Sequence, residues 1–338
     1  MTECTRTFIE GLPKAELHLH LEGTLEPDLK LKLAQKNQID IGQTTIEEVT
    51  ASYQFNDLTS FLAVYYPAMN VLQEEDDFYA LAMAYLKKAK DNGVKYVELF
   101  FDPQAHTSRG IAFDTVINGY YKAVQEAPSI GIEANLIMCF LRDMSAESAM
   151  ETYEAALPHR DKFIGVGLDS DERNNPPEKF AEVFQRAKAD GFHLTMHCDI
   201  DQEDSIEHIR TCLKEIGVER LDHGTNIVED PSLVDYVVEH KIGFTCCPVS
   251  NSFVTSDMKG KEMVELLHKG ALVTVNSDDP AYFQSYIAND LYTLADAYNL
   301  TKDDVIRIAK NSFQATWLPE EKKAAYIAMI DAYVKENR

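Results

Sequence analysis

The chain has 338 residues, 45% of them hydrophobic, and a formal net charge of −24 at pH 7. This acidity argues against nucleic acid or an anionic membrane as a partner, because such partners require clustered Lys and Arg. No apolar run reaches the roughly 18 residues of a membrane-spanning helix, and no signal peptide is evident. The six cysteines show no disulfide-framework spacing, so we expect reduced thiols and a cytoplasmic location.

Short apolar strands alternate with amphipathic helices along the chain. The predicted strands are residues 15–20, 94–101, 132–140, 163–169, 192–198, 220–223, 243–247 and 272–276. The predicted helices are residues 77–92, 114–125, 146–156, 178–190, 204–216 and 232–240, with more expected in the 25–66 insertion and after Phe283. This alternation predicts an α/β fold, a (β/α)8 TIM barrel with additional helices, as a single domain over residues 1–338.

A His-x-His motif, His18-Leu19-His20, occupies the first predicted strand. Alternation along a strand places both imidazoles on one face, where they can bind one divalent metal at about 2.0–2.1 Å per Zn–N bond. His197, His223 and the pair Asp278-Asp279 follow at or just beyond later strand ends. Barrels of parallel strands carry their catalytic residues there. Each residue alone also fits a structural histidine or a plain Asp-Pro turn, but the ordered combination predicts a metal-dependent hydrolase.

Four segments carry a family resemblance: KAELHLHLEG at 14–23, LDHG at 221–224, CPVSN at 247–251 and VNSDDP at 275–280. They are similar to motifs of the adenosine/adenine deaminase branch of the amidohydrolases, and the resemblance extends from about Leu12 to about Leu318. The segments FFDPQAHTSRG at 100–110 and VGLDSDE at 166–172 look nearer to the adenine deaminase type. Glu22 stands where adenosine deaminases typically carry an aspartate that contacts ribose, which also favours a free base.

The resemblance implies one zinc ion per chain, with water in the remaining coordination position. The implied ligands are His18, His20, His197 and Asp278. His223 would accept the proton of the attacking water, Asp278 would share it, and Asp279 would hydrogen-bond N7 of a purine. Further substrate contacts are expected at Glu22, Gly167, Asp169 and Ser170. Attack at C6 would then release ammonia or an amine.

The chain departs from the family after the third zinc histidine. Relatives carry a glutamate that protonates N1 of the ring, and here that position holds Ile200 within His197-Cys198-Asp199-Ile200-Asp201. A positioned general acid typically raises the reaction rate by about 10²–10⁴-fold, so the replacement of this glutamate by isoleucine bears directly on activity. Asp199 or Asp201 supplies the acid, or the substrate needs none there, or the protein is a silent zinc scaffold. Of the two aspartates Asp199 is preferred, since period two from His197 directs it to the same side.

The sequence therefore predicts a zinc-dependent deaminase acting at C6 of adenine or an N6-substituted adenine. The alternatives are an adenosine or nucleoside deaminase and a catalytically silent zinc-binding protein. A nucleotide is disfavoured because no basic cluster would hold its phosphate, and only Arg109 and Arg173 lie in loops near the motifs. The expected partner is a small purine, and a homo-oligomer is compatible with the sequence. Phe61, Tyr65, Tyr66 and Met69 share a helical pattern and are predicted to be core or cavity wall.

Overall fold

Eight parallel strands, β1 to β8 in chain order, form the centre of the computed structural model, which describes residues 4–337. Their bounds are Lys14–Glu16, Val94–Phe101, Glu133–Leu141, Gly165–Asp169, His193–Cys198, Arg220–His223, Gly243–Cys246 and Leu272–Val275. Each strand pairs with the next one in sequence, in the order β1-β2-β3-β4-β5-β6-β7-β8. The predicted (β/α)8 barrel is confirmed.

The barrel closes between β8 and β1 through an irregular contact. An isolated parallel bridge joins Leu19 to Asp278. The amide of His20 donates to the carbonyl of Asp278 at 3.0 Å, and the amide of Asp278 donates to the carbonyl of His18 at 3.1 Å. Three of the predicted metal ligands therefore also form the seam of the barrel.

The predicted strand over residues 15–20 is wrong in its second half, because β1 ends at Glu16. The amide of Leu17 donates to Asn276 Oδ1 at 2.8 Å instead of to a strand carbonyl. His20 touches β2 only through an isolated bridge to Phe100. A side-chain amide and single bridges replace the regular ladder here, which period-two alternation does not anticipate. The other seven strands agree with the predicted bounds to within two residues.

Helices surround the barrel and follow most strands. The α-helices are Arg6–Gly11, Pro27–Asn37, Ile46–Ser52, Leu58–Ala68, Glu75–Asp91, Pro103–Thr107, Phe113–Glu126, Ala146–Ala156, Ala181–Ala189, Ser205–Thr211, Pro231–Glu239, Pro248–Thr255, Gly260–His268, Pro280–Phe283, Ile287–Ala297, Lys302–Gln314 and Glu320–Glu336. The expected extra helices in the insertion and the tail are confirmed. Across residues 4–337, none of the helices combines the length and apolarity that a membrane crossing needs.

Two predicted helices differ from the structure in their regularity. The helix expected over residues 178–190 starts with the 3₁₀ turn Pro177–Phe180 before the α-helix begins at Ala181. The helix expected over residues 204–216 ends as the π-helical segment Cys212–Ile216. Both exceptions lie at helix ends, where hydrogen-bond spacing changes most readily.

A buried ion pair stabilises the amino-terminal end of the barrel. Arg220, the first residue of β6, donates to Glu98 Oε1 on β2, and both side chains are almost fully buried. Glu98 Oε2 accepts from the amide of Trp317 at 3.0 Å and from Tyr96 Oη at 2.8 Å. The Trp317 ring covers the guanidinium of Arg220 at 3.8 Å. These contacts tie the segment after the last barrel helix to two distant strands.

We expect Glu98→Gln to lower the free energy of unfolding by about 3–5 kcal/mol, because Arg220 would remain buried without its carboxylate. Urea denaturation measures the loss. Glu133→Gln is the control, since it breaks the Lys322–Glu133 pair, whose side chains are 52% and 42% exposed, and exposed pairs contribute at most about 1 kcal/mol. Equal losses in the two variants would contradict a structural role for the buried pair.

Candidate active site

Four buried side chains converge at the carboxyl-terminal end of the barrel. They are His18, His20, His197 and Asp278, whose potential ligand atoms all lie within 4.8 Å of one another. His20 Nε2 is 3.2 Å from His197 Nε2 and 3.2 Å from Asp278 Oδ1. Ligand atoms about 2.1 Å from one tetrahedral ion lie roughly 3.4 Å apart. The separations therefore fit a single divalent metal.

An oxygen atom lies close behind each of the three imidazole rings. Each Nδ1 faces an oxygen acceptor: His18 faces the Thr245 carbonyl at 3.1 Å, His197 faces Asp222 Oδ2 at 3.2 Å, and His20 faces Asp169 Oδ2 at 3.3 Å. An Nδ1–H that donates to oxygen leaves the lone pair on Nε2. All three Nε2 lone pairs then point toward one place, which is the arrangement of metal-binding histidines.

A cation would stabilise the buried donor atoms of the metal cluster, the name used here for His18, His20, His197 and Asp278. His18 Nε2 is buried and has no hydrogen-bond partner among the residues that the structure describes. Nε2 lone pairs that face each other at 3.2 Å repel unless a positive charge lies between them. Imidazole nitrogen and carboxylate oxygen are ligands that zinc accepts. We conclude that this donor set fits a metal.

Backbone strain marks three strand ends around the cluster. Ser170, His223 and Asp278 adopt left-handed φ values of +76°, +63° and +63°. Non-glycine residues occupy this region at a cost and do so most often at functional sites. The sharp turn after each strand directs these side chains into the mouth of the barrel instead of along its wall.

His223 lies beside the metal cluster as a neutral base. Its Nε2 is 3.8 Å from Asp278 Oδ2, and within the described chain its Nδ1 has no hydrogen-bond partner. Burial and the neighbouring His18 hold the pKa of His223 well below its usual value. Burial alone would raise the pKa of Asp278, but the histidines outweigh it and hold that pKa well below its usual value. The Ser250 hydroxyl donates to Asp278 Oδ2 at 2.7 Å.

Asp199 lies in the loop after β5 and is fixed there through its backbone. Its amide donates to Glu172 Oε2 at 2.6 Å, and Glu172 Oε1 faces His208 Nδ1 at 2.7 Å. The buried Arg142 donates from Nη1 to the carbonyl of His197 at 2.9 Å. Burial and the Glu172 carboxylate raise the pKa of Asp199 well above its usual value. This shift favours the protonated form of Asp199.

A cavity opens over the metal cluster. Its acidic lining consists of Asp102, Asp169, Asp199, Asp201, Asp278 and Asp279. Its apolar and aromatic lining consists of Leu58, Phe61, Leu62, Tyr65, Tyr66, Ile200, Val254 and Phe283. Lys and Arg are absent from the lining that the structure describes. The cavity therefore suits a neutral or cationic planar ligand better than a phosphate ester.

The structure brings most of the predicted site residues to this cavity. His20, His197, His223, Asp278, Asp279, Asp169, Ser170, Asp199 and Asp201 line it. Asp201 is exposed, and its Oδ1 accepts from Gln202 Nε2 at 2.9 Å. Phe61, Tyr65 and Tyr66 lie in the cavity wall, whereas Met69 is buried in the core.

Glu22 and Gly167 do not reach the cavity, so the structure does not support their predicted substrate contacts. Glu22 is fully buried, and its Oε1 accepts from Tyr120 Oη at 3.1 Å and faces His106 Nε2 at 2.8 Å. A Cβ on Gly167 would lie 2.7 Å from Cys139 Sγ, so this glycine packs inside the barrel below the cavity. Both residues are adjacent in sequence to lining residues but face the protein interior.

Sequence reasoning missed several residues that shape the site. Asp102 directly follows β2 and lines the cavity, so the strand-end criterion that found His223 would also have found it. Asp222 precedes His223 on β6, and its Oδ2 lies 3.2 Å from Nδ1 of His197 on the neighbouring strand β5. Glu172 comes from a loop 27 positions before Asp199. No local pattern connects those two residues.

Comparisons with known proteins agree with this geometry. The family model described as adenosine deaminase matches residues 13–333. The adenine deaminase of Vibrio parahaemolyticus is 45% identical, with 98% of each chain covered. The crystal structure of an adenine deaminase from Arthrobacter aurescens superposes with a TM-score of 0.92 at 38% identity and covers 96% of this chain and 99% of that one. An amidohydrolase from Burkhoderia ambifaria, with bound Zn, gives a TM-score of 0.87 at 26% identity and covers 99% and 95%.

We expect Asp222→Asn to weaken metal affinity by about 10–100-fold, because the carboxylate that lies 3.2 Å from His197 Nδ1 would lose its charge. Competition with a chelator, followed by metal analysis, measures the affinity. Asp235→Asn removes an exposed carboxylate from the helix that follows and should leave the affinity unchanged. An unaltered affinity in Asp222→Asn would show that His197 needs no support from Asp222.

Proposed function

The chain belongs to the adenosine deaminase family, and we propose that it is an aminopurine deaminase that hydrolyses adenine at C6. Water and adenine would give hypoxanthine and ammonia. The observation that carries the proposal is the convergence, in one cavity, of a metal cluster, a neutral histidine and unpaired carboxyl groups. Full-length similarity to adenine deaminases supports adenine as the substrate.

The family is metal-dependent, and we propose one zinc ion per chain in this site. His18, His20, His197 and Asp278 would hold it. When bound, zinc lowers the pKa of water to about 7 and thereby makes a nucleophile available near neutral pH. The zinc-bound relative and the nitrogen-rich donor set support this choice of metal.

His223 and Asp278 would manage the proton of the attacking water. The neutral imidazole of His223 can accept that proton, and burial keeps the ring free of a competing proton from solvent. Asp278 Oδ2 lies 3.8 Å from His223 Nε2 and is held there by Ser250. A proton taken by His223 therefore remains next to the amino group that leaves from C6.

Asp279 and Asp199 would hold two edges of the base. Asp279 Oδ1 is buried and has no hydrogen-bond partner among residues 4–337. A Cβ at Gly23 would lie 1.9 Å from this oxygen, so only glycine there leaves room for Asp279. We assign Asp279 to N7 and Asp199 to N1, where negative charge develops during attack at C6. Asp199 is partly buried whereas Asp201 is exposed, which favours Asp199 as the acid.

The apolar part of the cavity favours tolerance of substituents on N6. Leu58, Leu62, Val254 and Phe283 contribute to this part. N6-methyladenine is therefore a second candidate substrate, which would release methylamine.

Ultraviolet absorbance of adenine, N6-methyladenine, adenosine and AMP with the zinc-loaded protein tests the proposal. We expect rapid conversion of adenine, and a loss of about 10²–10⁴-fold in His223→Ala, because the base that accepts the water proton is removed. Metal analysis of the variant shows whether the metal cluster is intact. Flat traces for every aminopurine, with zinc bound, would contradict a deaminase.

Paired substitutions identify the acid that replaces the missing glutamate. We expect Asp199→Asn to lower kcat for adenine by about 10²–10⁴-fold, because N1 would lose its proton donor. Asp201→Asn is the matched comparison, and we expect it to lower kcat by less than about 10-fold, since an exposed side chain is poorly positioned. The reverse order would transfer the role to Asp201. Unchanged activity in both variants would exclude the loop after β5 as the source.

A further inference from the structure

Two carboxyl groups in the cavity are neither ligands of the metal cluster nor participants in the proposed proton transfers. Asp102 directly follows β2, and Asp169 is the last residue of β4. Their exposed fractions are 1% and 3%, and both side chains line the cavity. A buried carboxyl group at a strand end of a barrel is placed to meet a ligand.

Asp102 and Asp169 hydrogen-bond each other, and each group also has an oxygen atom to which no described side chain or amide donates. Asp102 Oδ1 and Asp169 Oδ1 are buried without a hydrogen-bond partner among the described residues. One oxygen of each lies within 4.8 Å of the other and of a His20 ring nitrogen. Leaving buried acceptors unpaired is unfavourable. A ligand that carries an N–H donor would meet this need.

The position of the pair relative to the metal cluster suits a purine ring. His20 separates the two groups: its Nε2 is 3.2 Å from Asp278 Oδ1, and its Nδ1 is 3.3 Å from Asp169 Oδ2. The carboxyl pair therefore lies about one ring width from the metal cluster. In a purine the edge that carries N3 and N9 is opposite C6. A purine with C6 at the metal cluster and this edge toward His20 Nδ1 would place N9 beside Asp102 and Asp169.

We infer that Asp102 and Asp169 accept a hydrogen bond from the ring N–H of a free purine base and thereby select the base over its nucleoside. This inference rests on the proposed deamination at C6. A sugar or methyl group at N9 removes that donor and places carbon against two buried oxygens. Sites built to bind an N–H or O–H group strongly reject analogues that lack it.

Surrounding contacts fix the pair and close this side of the cavity. The amide of Asp102 donates to Glu22 Oε1 at 3.2 Å, and Glu22 is itself fully buried. Next to Asp169, Tyr66 Oη donates to Ser170 Oγ at 2.8 Å. Glu22 therefore acts as a positioning residue for Asp102 instead of touching the substrate. Rigid placement makes it difficult for the wall to move aside for a sugar.

Comparison of adenine with 9-methyladenine tests the inference, because the methyl group removes the N9–H donor while adding far less bulk than a sugar. We expect kcat/KM of the zinc-loaded wild type to be at least about 10²-fold higher for adenine. In Asp102→Ala we expect the ratio of kcat/KM for adenine to kcat/KM for 9-methyladenine to fall by about 10-fold or more, because KM for adenine rises. Asp143→Asn removes an exposed carboxylate that follows β3 outside the cavity and should leave the preference unchanged.

Equilibrium binding gives a second readout that needs no turnover. Calorimetry with hypoxanthine and 9-methylhypoxanthine should show the same preference in the wild type and its loss in Asp102→Ala. Asp102→Asn is a second variant that keeps the side-chain size if Asp102→Ala does not fold. Asp169 is unsuitable for substitution because it also contacts His20 Nδ1 at 3.3 Å.

Several results would overturn the inference. Equal kcat/KM for the two substrates in the wild type, or equal losses on both in Asp102→Ala, would show that the pair does not recognise N9. A second metal ion in the wild type that is lost in Asp102→Ala would assign the pair to metal binding. A lack of deamination with every aminopurine would instead refute the proposed function, and the binding preference would still decide the role of the pair.

Discussion

The structure depends on one electrostatic constraint, the approach of three imidazole lone pairs to a single buried point. His20 and His197 present Nε2 atoms to each other at 3.2 Å, and Asp278 adds a carboxylate oxygen. Oxygen acceptors behind the rings hold them in this orientation, so the repulsion is relieved by a cation and not by rotation. The same residues form the seam between β8 and β1. Metal binding and closure of the barrel are therefore coupled.

The carboxyl groups around the metal cluster have different proposed roles. Asp278 belongs to the metal cluster, and in our proposal Asp279 and Asp199 contact two edges of a planar base while Asp102 and Asp169 contact the third. Buried acids at this density are stabilised by protonation, by a metal and by a ligand with N–H groups. The absence of Lys and Arg from the described lining gives a phosphate no counterpart. The charge of the lining therefore favours a neutral or cationic ligand over a phosphate ester.

Sequence reasoning succeeded where function is tied to strand ends. His197, His223 and Asp278 follow apolar runs, and the barrel brings such positions together. Sequence reasoning failed where long-range contacts decide the orientation of a side chain or the end of a strand. Glu22 faces the interior because its carboxylate accepts a hydrogen bond from the buried Tyr120. The strand β1 ends early because the side chain of Asn276, and not a strand carbonyl, accepts the hydrogen bond from the next amide. These details depend on residues far apart in the chain, which no local period encodes.

Zinc titration of the metal-free protein, with adenine turnover as the readout, tests whether deamination depends on this metal cluster. We expect the metal-free protein to be inactive and its turnover to rise in proportion to added zinc. The rise should stop at one equivalent per chain, because the described residues form one four-ligand cluster. Full activity without metal, or none at any zinc loading, would contradict a deaminase organised around this site.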